Sequence, residues 1–128
     1  MNYIPMKVEI FTDANNDVTG LPYMQRLMAS NNIHYYKLDK INKIEKELSA
    51  GLPAQEHKAK IVIDRRMAKI DKVAFQKAVS NAFQGVIYAF RYKLTHYPAI
   101  VINNGEAIIY GVYDVKQAMR IYRDWKRS

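Results

Sequence analysis

Two runs of β-forming residues, Lys7-Val-Glu-Ile-Phe-Thr12 and Ile33-His-Tyr-Tyr-Lys-Leu38, flank one segment of helical periodicity. A β-α-β unit of this kind forces its strands to run parallel, joined by a right-handed crossover. The connecting helix is expected from about Thr19 to Asn31, with apolar Leu21, Met24, Leu27 and Met28 at helical spacing. Thr19 is the expected N-cap, and Asn31-Asn32 the expected stop. The polar cluster Asp13-Ala-Asn-Asn-Asp17 reads as the turn between strand and helix.

The second half of the chain reads differently. Asp39 is placed to cap a short helix carrying Ile41, Ile44 and Leu48, which Gly51 and Pro53 bring to a stop. A long helical region follows, roughly Ala54 to Leu94, with a break inside Asp64–Asp71 and Asp71 capping its second part. That part carries Val79, Ala82, Phe83, Val86, Ile87, Phe90 and Leu94, a stripe expected to lie on the core. Tyr97-Pro-Ala-Ile-Val-Ile-Asn103 and Glu106-Ala-Ile-Ile-Tyr110 read as an antiparallel pair joined by a type I′ turn at Asn104-Gly105. Asp114 caps a last helix with Val115, Ala118, Met119, Tyr122 and Trp125 on its packing face.

A parallel pair in one half and an antiparallel pair in the other combine most economically into one four-stranded mixed sheet, with helices on both faces. The expected fold class is α/β and thioredoxin-like: β-α-β, a helical insertion at about 40–94, then β-β-α, in a single domain over residues 1–128. A ferredoxin-like chain would end on a strand, and this one ends on a helix. Pro98 opens the third strand, the one position where a proline suits an inner strand. The topology and the aromatic Tyr97 before it favour a cis Tyr97–Pro98 bond.

The chain has 128 residues, of which 49% are hydrophobic and 25% charged, enough apolar material for one core under an ordinary polar surface. No apolar run approaches the length of a bilayer span. There is no cysteine. Disulfides, thiolate metal sites and thiol–disulfide exchange are therefore excluded in this chain. In a thioredoxin-like fold the redox motif would follow the first strand. The stretch there, Asp13-Ala-Asn-Asn-Asp-Val-Thr-Gly20, offers neither thiol nor serine. Neither a catalytic residue nor a cofactor is expected, and no metal site. His34, His57 and His96 share no ligand spacing, the five glycines form no phosphate-binding loop, and Ser30, Ser49, Ser80 and Ser128 lack a nucleophile-elbow context.

Two surfaces are candidates for contacts. One is the corner where the loop after strand one faces the proline: Asp13, Asn15, Asn16, Tyr97 and Pro98. Such a corner suits docking of an extended segment by strand addition. The other follows from charge. The chain carries a net +8, and residues 1–39 hold only three of its twenty bases. Arg65, Arg66, Lys116, Arg120 and Arg123 are the candidate basic face, fit for nucleic acid or an acidic protein. The ten tyrosines could stack on bases, but most fall on strands or packing faces, where a core explains them.

Several blocks carry a family resemblance: Val8-Glu-Ile-Phe-Thr-Asp13, Tyr36-Lys-Leu-Asp39, Glu47-Leu-Ser-Ala-Gly-Leu-Pro53, Gln84-Gly85, Tyr97-Pro-Ala-Ile-Val101 and Tyr110-Gly-Val-Tyr-Asp-Val-Lys-Gln-Ala118. On these the chain resembles the thioredoxin-like proteins of integrating conjugative elements, related to the TrbC component of F-type conjugative type IV secretion systems. The resemblance implies a non-enzymatic component that assembles with other secretion-system proteins. It also implies a periplasmic placement. The start, Met-Asn-Tyr-Ile-Pro-Met-Lys7, lacks the features of a signal peptide. The expectation is therefore periplasmic with the signal peptide outside this sequence, and cytoplasmic is the alternative. The alternative function is a basic adaptor or nucleic-acid-binding module.

Overall fold

The structure is a computed structural model that describes residues 5–13 and 17–128, apart from the side chain of Ile41. Four strands and five helices follow in the order β1 (Val8–Thr12), α1 (Leu21–Leu27), β2 (Ile33–Lys37), α2 (Lys40–Ser49), α3 (Glu56–Ala68), α4 (Lys72–Arg91), β3 (Ala99–Ile102), β4 (Ala107–Tyr110) and α5 (Val115–Arg127). The sheet order is β2-β1-β3-β4. β1 runs parallel to β2 and antiparallel to β3, and β3 runs antiparallel to β4. This is the expected thioredoxin-like α/β architecture.

The alternation of β1 explains the three layers. Val8 and Ile10, with Ile100 and Ile102 of β3, face α1 and α5 and pack on Met24, Met28, Val115, Ala118, Met119 and Tyr122. Phe11, with Tyr36, Ala99 and Val101, faces the other way and packs on Ala89, Tyr88 and Tyr92 of the α4 side. All five residues of β1 are buried, as an inner strand covered on both faces requires. Each large apolar side chain so buried stabilises the fold by about 1.5–3 kcal/mol relative to exposure. On the α4 side, α2 lies against α4 and α3 against α2.

The helix caps at the break and near the C-terminus are those the sequence predicts. Asp71 Oδ1 accepts from the N–H groups of Val73 and Ala74 at 3.0 and 3.2 Å, and Asp114 Oδ1 accepts from Lys116 N–H at 3.0 Å. The peptide bond between Tyr97 and Pro98 is cis.

Four expectations differ. The first helix spans only Leu21–Leu27, and its N-cap is Gly20 at φ 92°, not Thr19. Thr19 is engaged elsewhere: it bridges to Asp114, its N–H donates to Tyr113 C=O at 2.8 Å, and its C=O accepts from Val115 N–H at 2.9 Å. That bridge ties the start of α1 to the start of α5, and a Cβ at Gly20 would fall 2.5 Å from Asp114 Oδ1. The helix stops before Asn31-Asn32 because Met28 is already extended (φ −129°, ψ 151°), and a 3₁₀ turn over Ser30–Asn32 leads into β2.

The hairpin between β3 and β4 is not a two-residue type I′ turn. The last paired residues are Ile102 and Ala107. Asn103, Asn104 and Gly105 all take positive φ, at 52°, 59° and 105°. Asn103 can leave the strand early because its side chain continues the ladder: Lys7 N–H donates to Asn103 Oδ1 at 3.0 Å, and Asn103 N–H donates to Lys7 C=O at 2.8 Å.

The third difference is α4. Its buried residues are Ala78, Ala82, Gly85 and Ala89. Of the predicted core stripe only Ala82 is buried, and the large side chains Phe83, Val86, Ile87 and Phe90 are exposed. The small-residue stripe lets the helix backbone approach the sheet closely. A Cβ at Gly85 would come 2.5 Å from Leu38 Cδ2 and 2.8 Å from Tyr36 Cβ. Fourth, Trp125 keeps company with Tyr122, ring centroids 6.0 Å apart, but stays half exposed at the end of α5.

Candidate functional site

The corner after β1 is built from strand ends. Asp13 follows β1, and Tyr97-Pro98 enters β3, which pairs antiparallel with β1, so the two segments meet at one end of the sheet. Pro98 is fully buried, and its C=O accepts from Gly111 N–H at 2.9 Å. Asp13 and Tyr97 are half-buried. The Tyr97 hydroxyl titrates above the usual tyrosine range, first through burial and then through the charge of Asp39, the neighbouring Tyr110 and the charge of Asp13. Asn15 and Asn16 lie outside the described residues. The far end of the loop is anchored: Val18 is buried, and its N–H donates to the Tyr35 hydroxyl at 2.9 Å.

The candidate basic residues divide between two layers. Arg65 and Arg66 sit on α3, on the α4 side, while Lys116, Arg120 and Arg123 are exposed on α5, which packs beside α1 across the sheet. Arg66 is committed structurally. Its guanidinium donates to the carbonyls of Leu48 and Ala50 at 2.8 Å each, closing the C-terminal end of α2. Lys116 lies over the Tyr23 ring, 5.6 Å from its centroid. The five residues thus form no single face.

The feature the sequence reading did not find as a surface lies on α4. Phe83, Val86, Ile87 and Phe90 are 64%, 55%, 54% and 87% exposed, four large apolar groups contiguous on one helix face. The stripe leads into a cleft of about 540 Å³ lined by Val86, Ala89, Phe90, Lys93, Leu94 and Tyr97. Tyr97 therefore joins this cleft to the corner. The signal was present in the sequence: two stripes share the helix, and the small-residue one (Ala78, Ala82, Gly85, Ala89) suits close contact with a sheet.

Among the described residues, no three or more His, Cys, Asp or Glu side chains are grouped to hold a metal ion. No helix among them is long and apolar enough to cross a membrane. His34 stacks on Tyr36 with ring centroids 6.3 Å apart, His96 meets the Tyr110 ring edge-on at 5.9 Å, and His57 is exposed on α3.

Neither a curated protein nor a solved structure matches the chain. The model of the family described as "Protein of unknown function (DUF1525)" matches residues 6–128, and the chain belongs to that family.

Proposed function

We propose that the protein is a non-enzymatic, thioredoxin-like component of a conjugative type IV secretion system, working in the assembly of the DNA-transfer machinery through protein–protein contacts. The observation that carries this reading is the open apolar face of α4. A helix that buries alanines and glycine while presenting two phenylalanines, a valine and an isoleucine to water has one face for its own fold and another for a partner. The resemblance in blocks such as Tyr97-Pro-Ala-Ile-Val101 and Tyr110–Ala118 supports the secretion-system setting and a periplasmic placement. A nucleic-acid role receives less support, since the basic segments of α3 and α5 lie on different layers and Arg66 is spent on α2.

The test is genetic. Deleting the gene from its mobile element should lower transfer frequency by at least tenfold, and wild type supplied in trans should restore it. A folded Phe83→Ser/Phe90→Ser double variant should not. Undiminished transfer after deletion refutes the reading.

A further inference from the structure

We propose that the exposed face of α4 is a groove for one amphipathic helix from a different protein, a helix whose apolar seam is flanked by Asp and Glu. This rests on the reading of the protein as a contact module and adds the chemistry of its partner.

Three observations select that occupant. The first is spacing. Phe83, Val86, Ile87 and Phe90 stand at i, i+3, i+4 and i+7, the pattern that seats the anchors of a second helix. The adjoining cleft beside Phe90 and Leu94 provides a recess for a large apolar side chain.

The second is charge. From residue 72 to residue 105 the chain has no Asp or Glu, but it has Lys72, Lys77, Arg91 and Lys93. Lys93 lines the cleft itself, and the Arg91 guanidinium sits 5.1 Å from the Tyr88 ring centroid. Neighbouring α2 contributes Lys40, Lys43 and Lys46 against Glu45 and Glu47, which leaves the sign unchanged. Asp39 and Asp13 act on Tyr97 at the corner end of the cleft. A partner with acidic flanks is attracted along the rest of the stripe, and one with basic flanks is repelled.

The third is size. The four side chains expose roughly 450 Å² of apolar surface, scaling their fractional exposure by full side-chain areas. A standard interface buries about 800 Å² on each partner. The stripe alone is too small for a stable dimer, and a net charge of +8 opposes a second copy of the chain. One helix of two or three turns matches it.

The experiment uses the full chain and two fluorescent synthetic helices with the same Leu seam, one flanked by Glu and the other by Lys. Anisotropy titrations at low and physiological salt give their affinities. The Glu-flanked helix should bind at least tenfold more tightly, and the difference should shrink as salt rises. Phe90→Ser should weaken it tenfold or more with an unchanged circular dichroism melt. Lys93→Glu, a second variant that leaves the apolar stripe whole, should remove the preference between helices. Equal affinities, or no effect of Phe90→Ser, would overturn the proposal. So would sedimentation revealing a dimer that Phe90→Ser dissociates. If the Phe83→Ser/Phe90→Ser variant loses conjugative transfer while the two helices bind alike, the acidic partner is wrong and the contact-module reading stands. If deletion leaves transfer undiminished while the helix preference holds, the secretion-system setting is wrong and the acidic partner stands.

Discussion

The side-chain amide of Asn81 on α4 pairs with the outer edge of β2 as a neighbouring strand would. Its Nδ2 donates to Tyr35 C=O at 2.8 Å, and its Oδ1 accepts from Lys37 N–H at 3.1 Å. β2 ends the sheet on that side, so these backbone groups have no strand partner. An open edge invites pairing with other chains, and the Asn81 amide blunts it without adding a strand. Asn81→Ala should lower the unfolding free energy by about 1–2 kcal/mol for the two bonds lost. Denaturant titration measures that. Amide exchange should quicken at Lys37 and stay unchanged at Leu38, whose N–H donates inward to Thr12 C=O at 2.9 Å.

Gly85 sets how closely α4 can approach the sheet. Two effects oppose each other when alanine replaces it. Helix propensity favours alanine by about 1 kcal/mol. Against that, the new methyl would lie 2.8 Å from Tyr36 Cβ, an atom fixed to the backbone of β2, and 2.5 Å from Leu38 Cδ2. Leu38 can rotate away, but Tyr36 Cβ moves only with its strand. Overpacking of this kind costs about 1–3 kcal/mol, so after the propensity gain of about 1 kcal/mol the net expectation for Gly85→Ala is a loss of up to about 2 kcal/mol. A more stable variant would contradict the close approach.

Local chemistry was the legible part of this chain. Asp71 and Asp114 announce caps because their carboxylates act within three residues of themselves. The β-α-β and β-β-α halves follow from strand runs and their separations. Features decided between distant segments were not legible. Thr19 has the chemistry of a cap, yet its backbone is claimed by Tyr113 and Val115, far along the chain. Asn103 reads as the last strand residue, but its side-chain Oδ1, and not its backbone carbonyl, accepts from Lys7 N–H while its own N–H still donates to Lys7 C=O. The α4 stripes show the limit most clearly. Periodicity identifies two faces at helical spacing, and hydrophobicity alone picks the larger residues for the core. The close packing of α4 on the sheet picks the smaller ones. The corner was located from topology, but the surface beside it could be recognised only once Phe83 and Phe90 were seen facing water.

Tyr92 holds the one buried acid of the central strand. Its hydroxyl donates to Glu9 Oε1 at 2.6 Å, while Glu9 is 1% exposed and Lys7 Nζ stands 3.8 Å from the same oxygen. Glu9 Oε2 has no hydrogen-bond partner among the described residues. Tyr92→Phe removes the hydroxyl bonded to this carboxyl and should cost about 1–3 kcal/mol, the range for a buried polar group left without its partner. The pair also shapes the titration of its neighbours. Burial, then the bond to Glu9, holds Tyr92 well above the ordinary tyrosine range, and burial followed by the Glu9 charge pushes Tyr36 up to about 12. A raised pKa means stability that is complete below the ordinary value of 10.0 and is lost as pH climbs through the folded values. Ultraviolet titration should find fewer tyrosines ionising near that ordinary value in the folded chain than in the unfolded one, with Tyr36 and Tyr92 among those missing.

A second tyrosine–carboxylate pair, the buried Tyr122 and the exposed Glu106 at the opposite end of the sheet from the corner, predicts the acid limb of the stability profile. The Tyr122 hydroxyl donates to Glu106 Oε1, Lys126 Nζ lies 3.2 Å from the same oxygen, and Asn103 Nδ2 donates to the Tyr122 hydroxyl at 3.4 Å. These contacts join the β3–β4 turn to α5. The Tyr122 hydrogen bond first, then Lys126, lowers the Glu106 carboxyl from its ordinary 4.5. A folded value below the unfolded one gives stability that is complete above 4.5 and lost as pH falls through the lowered value. Tyr122 is shifted the other way, upward, chiefly by its bond to Glu106. Its share is complete below 10.0 and is lost as pH rises through the raised value. The pair therefore gives a plateau across neutral pH that declines at both ends. Glu106→Gln keeps the shape and removes the charge. Its stability deficit against wild type should be constant near neutral pH, shrink as the pH drops below 4.5, and be smaller in high salt, where Lys126 is screened. Paired denaturant titrations across the acid range measure it, and a deficit that persists unchanged in acid would mean that the carboxylate charge plays no part in holding the turn to α5.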